Sequence, residues 1–120
     1  MDPRPTQLHF HVPNSSYGLA KAFGEVAGRS LVDEAKLASF VALRIGWFVR
    51  IRQKMKTMQR LGIGVRDLRR LFRRCVEPDF RGFHVVYGIS TQKGAPYNLS
   101  YTRQLLSWEP VQLPGTVEYP

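Results

Sequence analysis

The stretch ASFVALRIGWFV, residues 38–49, is dense in branched and aromatic side chains and too short for a good helix. It reads as a largely buried strand ending near Gly46 or Trp47. A strand buried on both faces belongs to a parallel sheet, which needs helices on either side of it. The flanking sequence supplies them. Before it, from Tyr17 to about Lys36, Ala20, Phe23, Gly24, Ala27 and Leu31 recur at helical spacing, and Gly24 and Gly28 would let another helix approach closely. After it, VRDLRRLFRRCVE places Val65, Leu68, Leu71, Phe72, Cys75 and Val76 on one side of a helix that Pro78 ends. GFHVVYGIS is a second strand, and NLSYTRQLLSW a short helix capped by Asn98 or Ser100. The order helix, strand, helix, strand, helix predicts half of an α/β layered fold. The basic segment RIRQKMKTMQRLGIG carries no period and reads as a long irregular loop.

A chain of 120 residues with 43% hydrophobic content fits one globular domain, 1–120, with residues 1–16 an irregular lead-in and 111–120 a proline-punctuated tail. No charged leader precedes an apolar core segment, and the richest apolar run is broken by Arg44, so neither secretion nor membrane spanning is expected. With one cysteine, Cys75, read as a small buried hydrophobe, the expected compartment is the cytoplasm. His9 and His11 stand two apart and His84 is the third histidine, too few ligands for an expected metal site. The net charge of +9 favours anionic partners without choosing among them. Arg66, Arg69, Arg70, Arg73 and Arg74 form a basic stripe, read first as a solvated helix face. The alternative is a small basic protein using that Arg66–Arg74 helix to bind nucleic acid or an acidic partner.

The stretch SSYGLAKAFGE, residues 15–25, sets Tyr17 and Lys21 four apart, on one helix face. A tyrosine titrates near pH 10, and a neighbouring cation stabilises its phenolate, which suits proton transfer nearer neutrality. A Tyr and a Lys at this spacing read by themselves as a half-buried tyrosine and an exposed lysine near a helix start. Their surroundings add to them. PNSSYGLAKAFGE resembles the YxxxK helix of the extended short-chain dehydrogenase/reductase family, the NAD-dependent epimerase/dehydratase group. ALRIGWFV resembles the strand after that helix, RDLRRLFRRCVE a later helix that begins with an R-D-L run, and GFHVVYGIS with LLSWEP the closing strand and the L-G-[WY]-x-P ending. The RIGWF and VVYGIS pieces look most like uronate dehydrogenases.

The resemblance implies a partial Rossmann-like fold, the C-terminal half of such an enzyme, lacking the N-terminal dinucleotide-binding βαβ units. It implies hydride transfer between NAD and a sugar or sugar acid, with Tyr17 as general acid/base and Lys21 binding the nicotinamide ribose. Gly46 would lie beside the cofactor and Trp47 beside the substrate, with Lys56 or Arg60 gripping a sugar carboxylate. The Tyr17–Lys36 helix would serve as a homodimer surface. The 120 residues contain no G-x-x-G-x-x-G fingerprint after an opening strand; Gly62 and Gly64 follow a basic loop. The family's catalytic serine stands well before the tyrosine, where this chain has a proline-rich segment, and Ser15 and Ser16, next to Tyr17, are not taken as its replacement. No dehydrogenase activity is therefore expected of the 120 residues alone, unless another chain segment completes them.

Overall fold

A computed structural model describes residues 14–49, 62–77, 80–90 and 97–111. The first helix, α1 (Ser16–Asp33), opens where the Ser15 hydroxyl accepts from the Gly18 amide at 3.0 Å, occupying an amide that has no partner inside the helix. It closes three residues short of the predicted end. Ala35 turns left-handed at φ 57°, and the Lys36 amide folds back to the Leu31 carbonyl at 2.9 Å, the helix-ending turn that usually employs glycine.

Strand β1 (Ser39–Ile45) pairs in parallel with β4 (Gly82–Gly88), Ser39 opposite Gly82 through Ile45 opposite Gly88. β1 ends beside Gly46, where the sequence places the strand end, but the apolar run continues as a second, short strand. At Gly46, whose amide still donates to the Gly88 carbonyl at 2.9 Å, the chain leaves this ladder and enters β2 (Trp47–Val49). β2 pairs in parallel with β3 (Gly62–Gly64), a segment that sequence reading assigns to the end of a loop. Three residues with two glycines carry no alternation, so only the pairing reveals the strand. The Ser90 amide donates to the Gly62 carbonyl at 2.8 Å and ties the two ladders together.

β3 runs directly into α2 (Val65–Val76), and β4 leads on to α3 (Ser100–Leu106), whose first amide is capped by the Asn98 side chain at 2.8 Å. The parallel alternation sends Val41, Leu43 and Val86 to one face of the sheet, where they meet Leu71, Leu106 and Trp108 around Ile63. The opposite face, with Phe40, Ala42, Arg44, Phe83 and Tyr87, meets α1. This is a small α/β layered arrangement with parallel strand pairing, as the periodicity predicts. β1 is only half-buried along its length, with Ile45 exposed; full burial belongs instead to Val85–Ser90 at the end of β4. Glycine lets the layers close at one further point, since a Cβ on Gly88 would fall 2.5 Å from Leu71 Cδ2.

The buried face of α2 is the predicted one apart from two residues, whereas α1 buries a face other than the one its bulky residues mark. On α2, Asp67 and Leu71 are fully buried and Leu68 and Cys75 half-buried, while Phe72 and Val76 stand out at 53% and 79% exposure. The buried line is centred on Leu71, and Phe72 and Val76 lie about 100° or more around the helix from it. Burial pushes the Cys75 thiol up from its ordinary value, consistent with its packing against the core. On α1 the inward line is Gly18, Ala22, Glu25, Gly28 and Val32; of the predicted packing face Ala27 is half-buried, whereas Ala20, Phe23, Gly24 and Leu31 are exposed. The sheet provides the bulk here. Phe40 and Phe83 stack at 5.9 Å beneath the helix, and Gly28 is buried because the Phe40 ring fills the space of its side chain. Gly24 faces open space.

The basic stripe is largely engaged within the chain. Arg70 donates to the Glu109 carbonyl at 2.7 Å, and Arg73 and Arg74 both pair with Glu77. His84 is likewise occupied, with Nδ1 2.6 Å from the Tyr101 hydroxyl and Nε2 2.6 Å from the Arg81 carbonyl, fixing β4 to α3. His9 and His11 lie outside the described residues. No helix among the described residues is long and apolar enough to cross a membrane.

Two substitutions should move stability in opposite directions. Gly28→Val drives a branched side chain into the Phe40 ring and is expected to cost about 1–3 kcal/mol, read as a lower denaturant midpoint. Ala35→Gly relieves a left-handed alanine and is expected to add about 0.5–1 kcal/mol by the same measurement.

Candidate functional site

The first turns of α1 pass over the end of β1 where its strand direction finishes, the edge at which parallel sheets present ligand crevices. A cleft of about 490 Å³ opens there, lined by Tyr17, Lys21, Gly24 and Glu25 of the helix and by Phe40 and Ala42–Ile45 of the strand. Its entrance carries the two residues singled out by spacing. Tyr17 is 74% exposed, and the Lys21 ammonium sits over its ring, 5.3 Å from the centroid. The helix brings the pair together, as residues four apart require. Gly24, one turn further on, carries no side chain into the cleft and leaves its middle open.

The inner wall holds a pair that sequence reading missed. Arg44 reaches from β1 to Glu25 on α1 with both ends of its guanidinium, Nε to Oε1 and Nη2 to Oε2, each at 2.8 Å. Nη1 donates to the Tyr87 hydroxyl at 3.2 Å, and the guanidinium lies 5.6 Å from the Tyr87 ring. Tyr87 is in turn stacked on Tyr97 at 4.6 Å. The Glu25 carboxylate raises the Arg44 pKa further above an already high value, against the opposing effect of burial, with the Tyr87 hydroxyl adding to the rise. Arg44 is therefore a permanent cation in the cleft wall. The sequence did carry a sign of it, a lone arginine in an apolar strand, which reads first as a break in a hydrophobic run.

The remaining predicted site residues are distributed unevenly. Gly46 stands just past the strand end beside the cleft, with its amide committed to Gly88. Trp47 belongs to β2, while its side chain falls outside the described residues, as do Lys56 and Arg60 entirely. The structure thus unites Tyr17 and Lys21 with Glu25 and Arg44.

Comparison with known proteins sets this arrangement in a family context. No family model matches the chain. It is 32% identical over 100 residues, 82% of its length, to an NAD-dependent glucose-6-phosphate dehydrogenase of Haloferax volcanii, and spans 37% of that protein. Its fold superposes on glucuronic acid dehydrogenase from Chromohalobacter salexigens with a TM-score of 0.79 and 25% identity, covering 92% of this chain and 40% of that one. It also matches a uronate dehydrogenase from Agrobacterium tumefaciens, solved with NAD as a tyrosine-to-alanine variant, with a TM-score of 0.80 and 22% identity over 91% of this chain and 40% of that one. The chain thus resembles, in sequence and in fold, a portion of NAD-dependent dehydrogenases of the short-chain type, and it spans about two-fifths of their length. Its layered α/β arrangement is part of their Rossmann-like fold.

Proposed function

We propose that these residues form the Tyr/Lys half-site of an NAD-dependent oxidoreductase acting on a sugar or sugar acid. The observation that carries the reading is the Lys21 ammonium held over Tyr17 at the mouth of a cleft against the strand end. The similarity to NAD-dependent sugar and sugar-acid dehydrogenases supports it. NAD, when bound, accepts or returns the hydride at the substrate carbon. The chain's own residues handle the proton. Tyr17, open to solvent, takes it from or gives it to the substrate oxygen, and Lys21 stabilises the phenolate electrostatically while offering N–H donors to the ribose hydroxyls. The cleft fits the ribose and nicotinamide end of the cofactor, with a cation at its mouth and an open glycine at its middle. Gly46 borders that end, and Trp47 with Lys56 or Arg60 is assigned to the substrate.

The reading takes residues 1–120 as one domain in a cytoplasmic setting. The sequence holds no glycine-rich phosphate loop, so a complete cofactor site needs further βαβ units, and the 120 residues alone are assigned no turnover. The pairing of two copies through α1 is part of the same proposal, since Leu19, Phe23 and Val26 are 61%, 72% and 67% exposed on its outer side. Phe23→Asp should then shift sedimentation toward the monomer; an unshifted profile would remove that interface.

Saturation-transfer NMR of the folded chain with NAD tests the central assignment. Transfer to nicotinamide and ribose protons is expected, reduced several-fold by Lys21→Ala, with Tyr17→Phe removing proton transfer in any completed enzyme. Absence of transfer to a chain that is folded by circular dichroism would overturn the cofactor assignment, and measurable turnover by the 120 residues would overturn the need for further units.

A further inference from the structure

Along α1, residues 17, 21, 25, 29 and 33 form one row spaced by four: Tyr17, Lys21, Glu25, Arg29 and Asp33. Residues at this spacing are natural partners on a helix, so Glu25 stands between two cations able to reach it, Lys21 on one side and Arg29 on the other. Both are directed away from it. Lys21 lies over Tyr17, and Arg29 pairs with Asp33 through Nε at 3.1 and 3.0 Å while resting 5.8 Å from the Phe83 ring. Glu25 itself leaves the row and gives both oxygens to Arg44 on the strand beneath.

We propose that Arg44 is a positioning residue for the Tyr17/Lys21 pair: by taking both oxygens of Glu25, it keeps that carboxylate from drawing Lys21 down the helix and so leaves the ammonium on Tyr17. The inference deepens the functional reading above and rests on it for its relevance to catalysis. The physical case is one of competition. The contact of Lys21 with an exposed ring and its alternative with a carboxylate one turn away are both weak and of similar size, so the availability of Glu25 decides between them. A bidentate guanidinium contact is the stronger and more directional of the possible claims on a carboxylate. Arg44 is also held by its neighbours, since its strand register places it opposite Tyr87, whose hydroxyl and ring hold the guanidinium and whose ring stacks on Tyr97. Glu25 and Arg44 are about three-quarters buried, while Lys21 and Tyr17 are exposed. The wall pair is thus the rigid member and the entrance pair the one that responds.

The test reads the Lys21 position directly. In the folded 120-residue chain, the Lys21 side-chain methylene protons should show the upfield ring-current displacement given by a tyrosine face. Arg44→Met, which keeps the packing of the arginine stem, should abolish that displacement, and Arg44→Met with Glu25→Gln should restore it, because no carboxylate remains to compete. A purely structural role for Arg44 gives no such restoration. An unchanged displacement in Arg44→Met, or equal loss in the single and double variants, overturns the proposal. If Arg44→Met does not fold, Arg44→Lys carries the test: partial loss, recovered by Glu25→Gln, is expected, and no change or loss without recovery overturns it. Saturation transfer from the same samples to NAD reports separately. The expected ring-current pattern without NAD binding would retire the cofactor role alone, whereas NAD binding without the pattern would retire the positioning role alone.

Discussion

A carboxylate with no solvent exposure, Asp67, is the constraint on which the arrangement of elements turns. A charge inside a protein is tolerated only when its lone pairs are met by donors. Here two donors come from distant parts of the chain, the Ser90 hydroxyl at 2.7 Å from the end of β4 and the Val111 amide at 2.8 Å from the segment after α3, and a third, Arg70 at 3.4 Å, from its own helix. Ser90 in turn accepts from the Gly64 amide at 2.9 Å, at the point where β3 becomes α2, and the Asp67 carbonyl accepts from the Trp108 indole at 3.1 Å. Among the described residues no buried side-chain nitrogen or oxygen lacks a hydrogen-bond partner, so this network is saturated. It locks the end of the sheet, the start of α2 and the residues after α3 into one mutual position, and the strand ends that border the cleft are fixed with them.

The other face of the sheet is organised by size rather than charge. α1 lies close because Gly28 gives way to a phenylalanine ring, and the closeness brings Glu25 within reach of Arg44. The entrance of the cleft depends on that approach. A cation over an exposed aromatic ring contributes only about 0.5–1 kcal/mol, too little to hold a helix in place, so the Tyr17/Lys21 pair takes its position from the packing beneath it.

Much of this was legible in the residues. The helical spacing of α1 and α2, the two long strands, their parallel pairing and the convergence of Tyr17 with Lys21 follow from periodicity and from the geometry of a turn. What periodicity could not supply was the buried face of α1, or the buried carboxylate on that of α2. It weighs residues by hydrophobicity, and so it assigned Phe23 and Leu31 inward and gave no special place to Asp67 or Glu25. In the structure small residues and paired charges face the interior, because the partner surfaces already carry the bulk and the counter-donors. Nor could it find β3, where glycines let backbones pair without leaving a side-chain pattern, or the short β2 that pairs with it beyond the strand end it placed near Gly46. Arg44 shows the same blindness: a charge in a strand gains its meaning only from the carboxylate of another element.

The strand connections carry a kinetic consequence. β1 and β4 run parallel, as do β2 and β3, so no strand described here joins its neighbour through a tight turn. Each pairing has to wait for a loop to close, and the β1–β4 ladder closes around β2, β3 and α2 together. The entropy of that closure is spent before any strand hydrogen bond repays it, which makes the sheet a late event and the helices early, reversible ones. The order of events places the Asp67 network last, since it needs β3, α2, the end of β4 and the residues after α3 all in place. The feature that fixes the native arrangement is thus also the one a folding chain reaches only when nearly finished, and partly folded forms would show their helices without a set order among the layers.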